Sequence, residues 1–202
     1  MTTAELLARM LDAAGVRWVF GIPSGPVLPL IEALRRSPIE FVLTASETSA
    51  GFMAQTVGAL TGVPGVCVST LGPGATNLAT GIGGAWLDRA PVIAITCNVA
   101  TPWLDRRVQM RIDHHALFRP LVKATFAVRA ESAGETLARA LALSSAEPPG
   151  PVHLDLPEDA AHEKAAEDSQ LPSRNAVPFS NVEADLSKEL EAALRLRRKP
   201  LV

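Results

Sequence analysis

Short apolar runs at residues 16–20, 39–43, 66–70 and 90–96 are each followed by a turn and then by a stretch of helical periodicity, and this alternation restricts the fold most. Strands linked through helices cannot be joined as tight hairpins, so they run parallel. Runs this apolar need cover on both faces, and the helices supply it. A strand at 122–129, a helix at 131–146 and a last strand at 152–156 extend the series. The expectation is an α/β, doubly wound, mostly parallel sheet of about six strands with helices on both faces and right-handed crossovers. A helix over 2–14 precedes it, opened by Thr2 and Glu5 as a capping box and ended by Gly15.

Ligands of open parallel sheets bind at the carboxyl ends of the strands, which directs attention to the turns there. After the run at 41–43, read as a short buried strand, Ser46 is a helix N-cap and Glu47 opens a helix ending near Thr61-Gly62. After 66–70 comes Leu71-Gly72-Pro73-Gly74-Ala75-Thr76-Asn77, where the glycines permit a tight turn and close backbone approach as a new helix begins. The two turns are expected side by side. Each alone has a plain explanation: an acid in a first helical turn favours the macrodipole, and Gly-Pro-Gly punctuates. Asn77 stands where G-x-G-x-x-G would need its third glycine, so the dinucleotide fingerprint is not met. Residues 98–113, with Trp103, Arg106, Arg107, Gln109 and Arg111, are too long and charged for a mere connection and read as a functional loop.

Taken in order, Phe20-Gly21-Ile22-Pro23-Ser24-Gly25, Glu47, Thr61-Gly62-Val63-Pro64-Gly65-Val66 and Thr70 to Asn77 resemble the N-terminal pyrimidine-binding domain of thiamine-diphosphate enzymes of the acetolactate synthase, pyruvate oxidase and 2-oxo acid decarboxylase type. The similarity continues through Arg89-Ala90-Pro91-Val92, Gln109, Arg119-Pro120-Leu121-Val122-Lys123 and Gly150-Pro151-Val152-His153-Leu154-Asp155-Leu156-Pro157. By that resemblance, Glu47 hydrogen-bonds the N1′ nitrogen of the cofactor's aminopyrimidine and activates it, and Gln109 reaches the reacting centre. Pro23, Ser24, Thr70, Pro73 and Asn77 lie around the ring, and Lys123 matches a basic position after the substrate loop, with Gln109 preferred over it. The resemblance implies thiamine diphosphate, a 2-oxo acid undergoing decarboxylation or carboligation, and Mg²⁺ held with the diphosphate by a domain whose Asp-containing signature this sequence lacks. It also implies a homodimer or tetramer through the helices flanking Glu47 and Gly74, beside a diphosphate-binding domain or subunit. Ser46 replaces a histidine of the family's pattern, Leu71 a serine, and Gln55 and Met110 acids, which bears on the substrate. The rival readings are a naturally short subunit of a split decarboxylase and a non-catalytic doubly wound module binding a nucleotide or protein.

Composition excludes other partners. A net charge of −2 with acids and bases interspersed leaves no basic stripe for nucleic acid or an anionic membrane. Every apolar run is broken short of the roughly 20 residues a spanning helix needs. The first residues lack a basic segment followed by an apolar core, and Cys67 and Cys97 read as reduced thiols of buried strands, so a cytoplasmic location is expected. Asp113-His114-His115 raises a metal, but adjacent side chains diverge and His153 and His162 show no ligand spacing; a short helix cap is the reading, with no metal site. The domain spans 1–157, a linker 158–181, and residues 182–202 read as a helix and the start of a middle domain, so a piece of a longer enzyme, inactive alone, is expected.

Overall fold

The computed structural model describes residues 1–166. Helix α1 (Thr3–Ala13) begins at the capping box read from the sequence: Thr2 Oγ1 accepts from Glu5 N–H at 3.2 Å while Glu5 Oε2 accepts from Thr2 N–H at 2.9 Å. There follow β1 (Trp18–Gly21), α2 (Leu28–Arg35), β2 (Glu40–Leu43), α3 (Glu47–Thr61), β3 (Gly65–Ser69) and α4 (Pro73–Leu87). The second half comprises β4 (Val92–Asn98), α5 (His114–Phe118), β5 (Thr125–Ala127), α6 (Ala133–Ser145), β6 (Pro151–Pro157) and α7 (Glu158–His162).

The strands form one sheet in the order β2-β1-β3-β4-β6-β5, parallel throughout. Alternation along the strands sends side chains to two cores. Val19, Val66, Val68, Ile93, Ile95 and Leu154 pack with α1, α2 and α6. Phe20, Cys67, Val92 and Ala94 pack with α3, α4 and Phe118 of α5. Ile93, Ile95 and Leu154 are fully buried, and each contributes roughly 1.5–3 kcal/mol by leaving water. The sheet is thus clamped from both sides, and the sequence expectation of a doubly wound α/β fold holds.

Three expectations are corrected. The strand ending at Leu43 is not a buried one: β2 lies at the sheet edge with a single neighbour, and Leu43 is 66% exposed. An apolar run of that length cannot distinguish an edge from a centre. The strand at 122–129 contracts to Thr125–Ala127, because Arg119–Leu121 closes a 3₁₀ turn. Residues 158–166 are not linker: α7 follows β6 at once, Ala160, Ala161 and Ala165 are buried, and Lys164 bridges Thr2. The remaining linker residues and the 182–202 helix fall outside the described residues. Among the described residues, no helix is long and apolar enough to cross a membrane.

From β1 the chain moves outward to β2 and then crosses back over β1 to β3. The strand order therefore reverses between β1 and β3, and the carboxyl ends of those strands open the crevice in which such sheets bind ligands.

Candidate functional site

Three turns converge on that crevice. The one after β1 carries Pro23, which is exposed, and Ser24, half-buried, whose carbonyl accepts from Val27 N–H at 2.8 Å. The turn after β2 is held to it by Thr44, whose N–H and hydroxyl both bond Gly21 O, at 3.0 and 3.3 Å. Ser46 then caps α3 as expected, accepting from Ser49 N–H at 3.2 Å. This delivers Glu47 as the first helical residue, where the helix macrodipole favours a negative charge, yet the residue is only 8% exposed.

The turn after β3 meets that carboxylate. Asn77 Nδ2 donates to Glu47 Oε2 at 3.2 Å, and Thr48 Oγ1 donates to Asn77 O at 2.8 Å. A Cβ placed on Gly74 would lie 3.3 Å from Glu47 Oε1 and 2.8 Å from Thr70 Cγ2, so a glycine here keeps that side of the carboxylate open. Ser69 Oγ and Thr70 Oγ1 are buried without a hydrogen-bond partner among the described residues. A buried hydroxyl left unpaired costs on the order of 1–3 kcal/mol, which a ligand's polar atoms would recover. Glu47, Thr70 and Asn77 thus meet around Gly74, with Pro73 in the same turn and Pro23 and Ser24 on the neighbouring one.

Gln109 is exposed in the loop between β4 and α5, and no side-chain contact joins it to Glu47. The loop nevertheless crosses the glycine-rich turn: a Cβ on Gly72 would collide with the carbonyl of Met110, the residue after Gln109. Lys123 has a structural task, donating from Nζ to Ala146 O at 2.7 Å and Pro148 O at 2.8 Å. The departures from the family pattern are equally accounted for: Ser46 caps, Leu71 is buried, Gln55 donates to Asp88 beyond α4, and Met110 takes a φ of 63° against Gly72.

Behind the turn is a buried polar network that sequence reasoning missed. Asp113 does cap α5, accepting from Ala116 N–H at 2.9 Å, but His114 beside it is 1% exposed and joins residues of β4 and β6. His114 Nδ1 lies 3.0 Å from Asp155 Oδ1 and 2.8 Å from Thr96 Oγ1, and Asn98 Nδ2 donates to both Asp155 oxygens, at 3.1 and 3.0 Å. Thr96 Oγ1 also meets His153 Nε2 at 2.8 Å, and His153 Nδ1 meets Thr125 Oγ1, which reaches His115. The available signal was polar residues two apart, Thr96 with Asn98 and His153 with Asp155, in otherwise apolar strands, which put all four on one face.

Burial raises the Asp155 pKa, but hydrogen bonding from His114 and from Asn98 opposes it, and the carboxyl is held below its usual range. Burial lowers the His153 pKa to about 3, so this imidazole is neutral. Burial pushes the thiols of Cys67 and Cys97 up, leaving both as protonated core groups. A pocket of about 300 Å³ lined by Val16, Trp18, Val57 and Val63 lies at the opposite, amino-terminal end of β1 and β3, away from all of these groups.

Among known proteins, the family described as thiamine pyrophosphate enzyme, N-terminal TPP binding domain, matches residues 1–117. The chain is 42% identical over 160 residues to the probable acetolactate synthase large subunit of Methanocaldococcus jannaschii, covering 79% of this chain and 27% of that protein. It is 34% identical over 204 residues to the acetolactate synthase isozyme 2 large subunit of Escherichia coli, covering 98% and 36%. It is 36% identical over 204 residues to the probable 2-ketoarginine decarboxylase AruI of Pseudomonas aeruginosa, covering 96% and 36%. The chain spans about a third of the length of the curated relatives it matches.

Proposed function

The chain belongs to the thiamine pyrophosphate enzymes as their N-terminal TPP-binding domain, and from that premise we propose that it forms the pyrimidine half of a site acting on a 2-oxo acid, with Glu47 activating the cofactor. The observation that carries the reading is the Glu47 carboxylate: buried at a helix start, held at Oε2 by Asn77 and left open at Oε1 by Gly74.

The residues fit a polar heteroaromatic ring. Glu47 offers a hydrogen-bonding oxygen, Ser69 and Thr70 offer unpaired buried hydroxyls, and Gly74 leaves the space a side chain would fill. Thiamine diphosphate, when bound, supplies the electron sink for making or breaking the bond beside a 2-oxo group. Glu47 would hydrogen-bond the ring nitrogen it meets, in surroundings where the low dielectric strengthens that bond. Asn77 keeps the carboxylate in one orientation, so no reorganisation is needed at the moment of reaction. By the resemblance to the family, Pro73 and Ser24 would bound the ring's space and Gln109 of the crossing loop would reach the substrate. Mg²⁺ and the diphosphate belong to a further domain or subunit. The relatives include both acetolactate synthases and a decarboxylase, so decarboxylation of a 2-oxo acid, with or without carboligation, is the reaction class.

The test is calorimetric titration of thiamine diphosphate with Mg²⁺ into the chain alone and into the complete enzyme, in wild type and Glu47→Gln. Binding that needs the complete enzyme, with turnover of Glu47→Gln lower by on the order of 10²–10⁴, is expected. Undiminished turnover by Glu47→Gln would remove it from this role.

A further inference from the structure

We propose that His114, held by Asp155, is a positioning residue that fixes the glycine-rich turn against Glu47. The proposal rests on the reading that Glu47 and this turn hold the pyrimidine ring.

Gly72 is the point at which the turn is under control. Its φ of 60° with ψ of −116° is a conformation that side chains rarely adopt, and no side chain of the turn itself caps the helix it precedes. Its backbone N–H donates instead to His114 Nε2, at 3.4 Å. A backbone N–H can only donate, so Nε2 must present a lone pair, and the ring proton of the neutral imidazole is on Nδ1. Nδ1 faces Asp155 Oδ1 at 3.0 Å and Thr96 Oγ1 at 2.8 Å, the threonine hydroxyl itself donating to Asp155 Oδ1 at 3.4 Å, and Asp155 is anchored on both oxygens by Asn98. The carboxylate thereby selects the tautomer whose other nitrogen can receive Gly72, the arrangement by which a carboxylate orients a working histidine elsewhere. His114 is 1% and Asp155 4% exposed, so water does not compete for either bond.

The same segment grips the turn from a second side, since the Met110 carbonyl occupies the place of a Gly72 Cβ. Two residues beyond Gly72, Gly74 lines the open side of the Glu47 carboxylate. A shift of the turn therefore changes the space left beside Glu47 Oε1. The polar network between the sheet and α5, otherwise an expensive thing to bury, has a purpose in holding that space.

The test combines spectroscopy of the full chain with cofactor binding by the complete enzyme. Nitrogen-resolved imidazole spectra should show His114 as the Nδ1–H tautomer with bare Nε2, and the Gly72 amide should be protected from exchange. His114→Leu should deprotect Gly72 and weaken thiamine diphosphate binding roughly tenfold, the effect of one buried amide left unpaired. His114→Gln, whose carbonyl can accept from Gly72, should restore both to within about threefold of wild type. A His114 proton on Nε2, or a His114→Leu variant with unchanged protection and affinity, overturns the proposal, and the spectrum decides the matter even if His114→Leu fails to fold. Because tautomer and exchange are read without cofactor, a wild type that shows both but binds no thiamine diphosphate would sink the cofactor reading and leave the His114–Gly72 link standing.

Discussion

His153 stacks on Phe118 with ring centroids 4.4 Å apart and places one threonine hydroxyl on each nitrogen, Thr96 at 2.8 Å and Thr125 at 2.6 Å. Burial, opposed in part by Asp155, lowers its pKa to about 3, whereas an unfolded histidine titrates near ~6.5. Between those values the unfolded chain carries one more proton, so this contribution is fully present above about pH 6.5 and is lost as pH falls toward 3. The slope is at most ~1.4 kcal/mol per pH unit. Asp155, with its pKa depressed, adds stability that is lost only at more acid pH, as pH falls below the unfolded carboxyl value and through its own. Urea midpoints measured from pH 7 to 4.5 should therefore fall, and His153→Gln, which stays neutral throughout, should flatten the decline by ~1 kcal/mol per unit. Equal slopes would mean that His153 is not buried as the neutral form. The sequence held only the two-residue spacing of Thr96 with Asn98 and His153 with Asp155; the pairing itself was not legible, because His114 and Asp155 are 41 residues apart and meet only when α5 folds over β6. Glu47 and the Gly72–Asn77 turn were legible because strand, cap and turn chemistry are local.

Helices α3 and α4 cross where Gly51 meets Gly81. A Cβ on Gly51 would be 2.9 Å from the Gly81 Cα, and one on Gly81 would be 2.7 Å from the Gly51 Cα. These helices begin at Glu47 and Pro73, so their separation sets how closely the carboxylate and the turn approach. Gly81→Ala forces the backbones apart and should cost roughly 1–3 kcal/mol in urea unfolding, since an overpacked core has nowhere to place the methyl. It should also weaken thiamine diphosphate binding by the complete enzyme, through the Glu47–Asn77 contact. A variant with wild-type stability and affinity would mean that the crossing relaxes freely. At this scale the sequence was informative wherever the determinant was a cap: Thr2 with Glu5, Ser46 and Asp113 all do what their positions foretold. It misled where neighbours decide, because only the sheet order makes β2 an edge, and contacts with α1, α2, Thr101 and Ala130 make 158–166 part of the domain.

The molecule keeps a large apolar surface on the outer side of those two helices. Phe52 and Met53 of α3 are 44% and 41% exposed, and Trp86 and Leu87 of α4 are 42% and 80% exposed. Exposed apolar residues of this size on the helices that carry Glu47 and Gly74 are what an interface would need. A second copy of the chain is the proposed occupant, and a two-fold arrangement would use each of these side chains twice. Replacing Met53 and Trp86 by glutamate adds charge at that surface without touching Gly51, Gly81 or the buried helix faces. In the complete enzyme, sedimentation should then show the dimer dissociation constant raised by roughly 10⁴–10⁹, taking ~1.5–3 kcal/mol for each of the large side chains kept in water, two from each copy. Urea unfolding of the variant should match the wild type, which separates a lost interface from a damaged fold. If the double variant still sediments as a dimer, the face is not the interface. If it is a monomer that retains full cofactor affinity, the site is complete within one chain, and the crevice between β1 and β3 needs nothing from a partner.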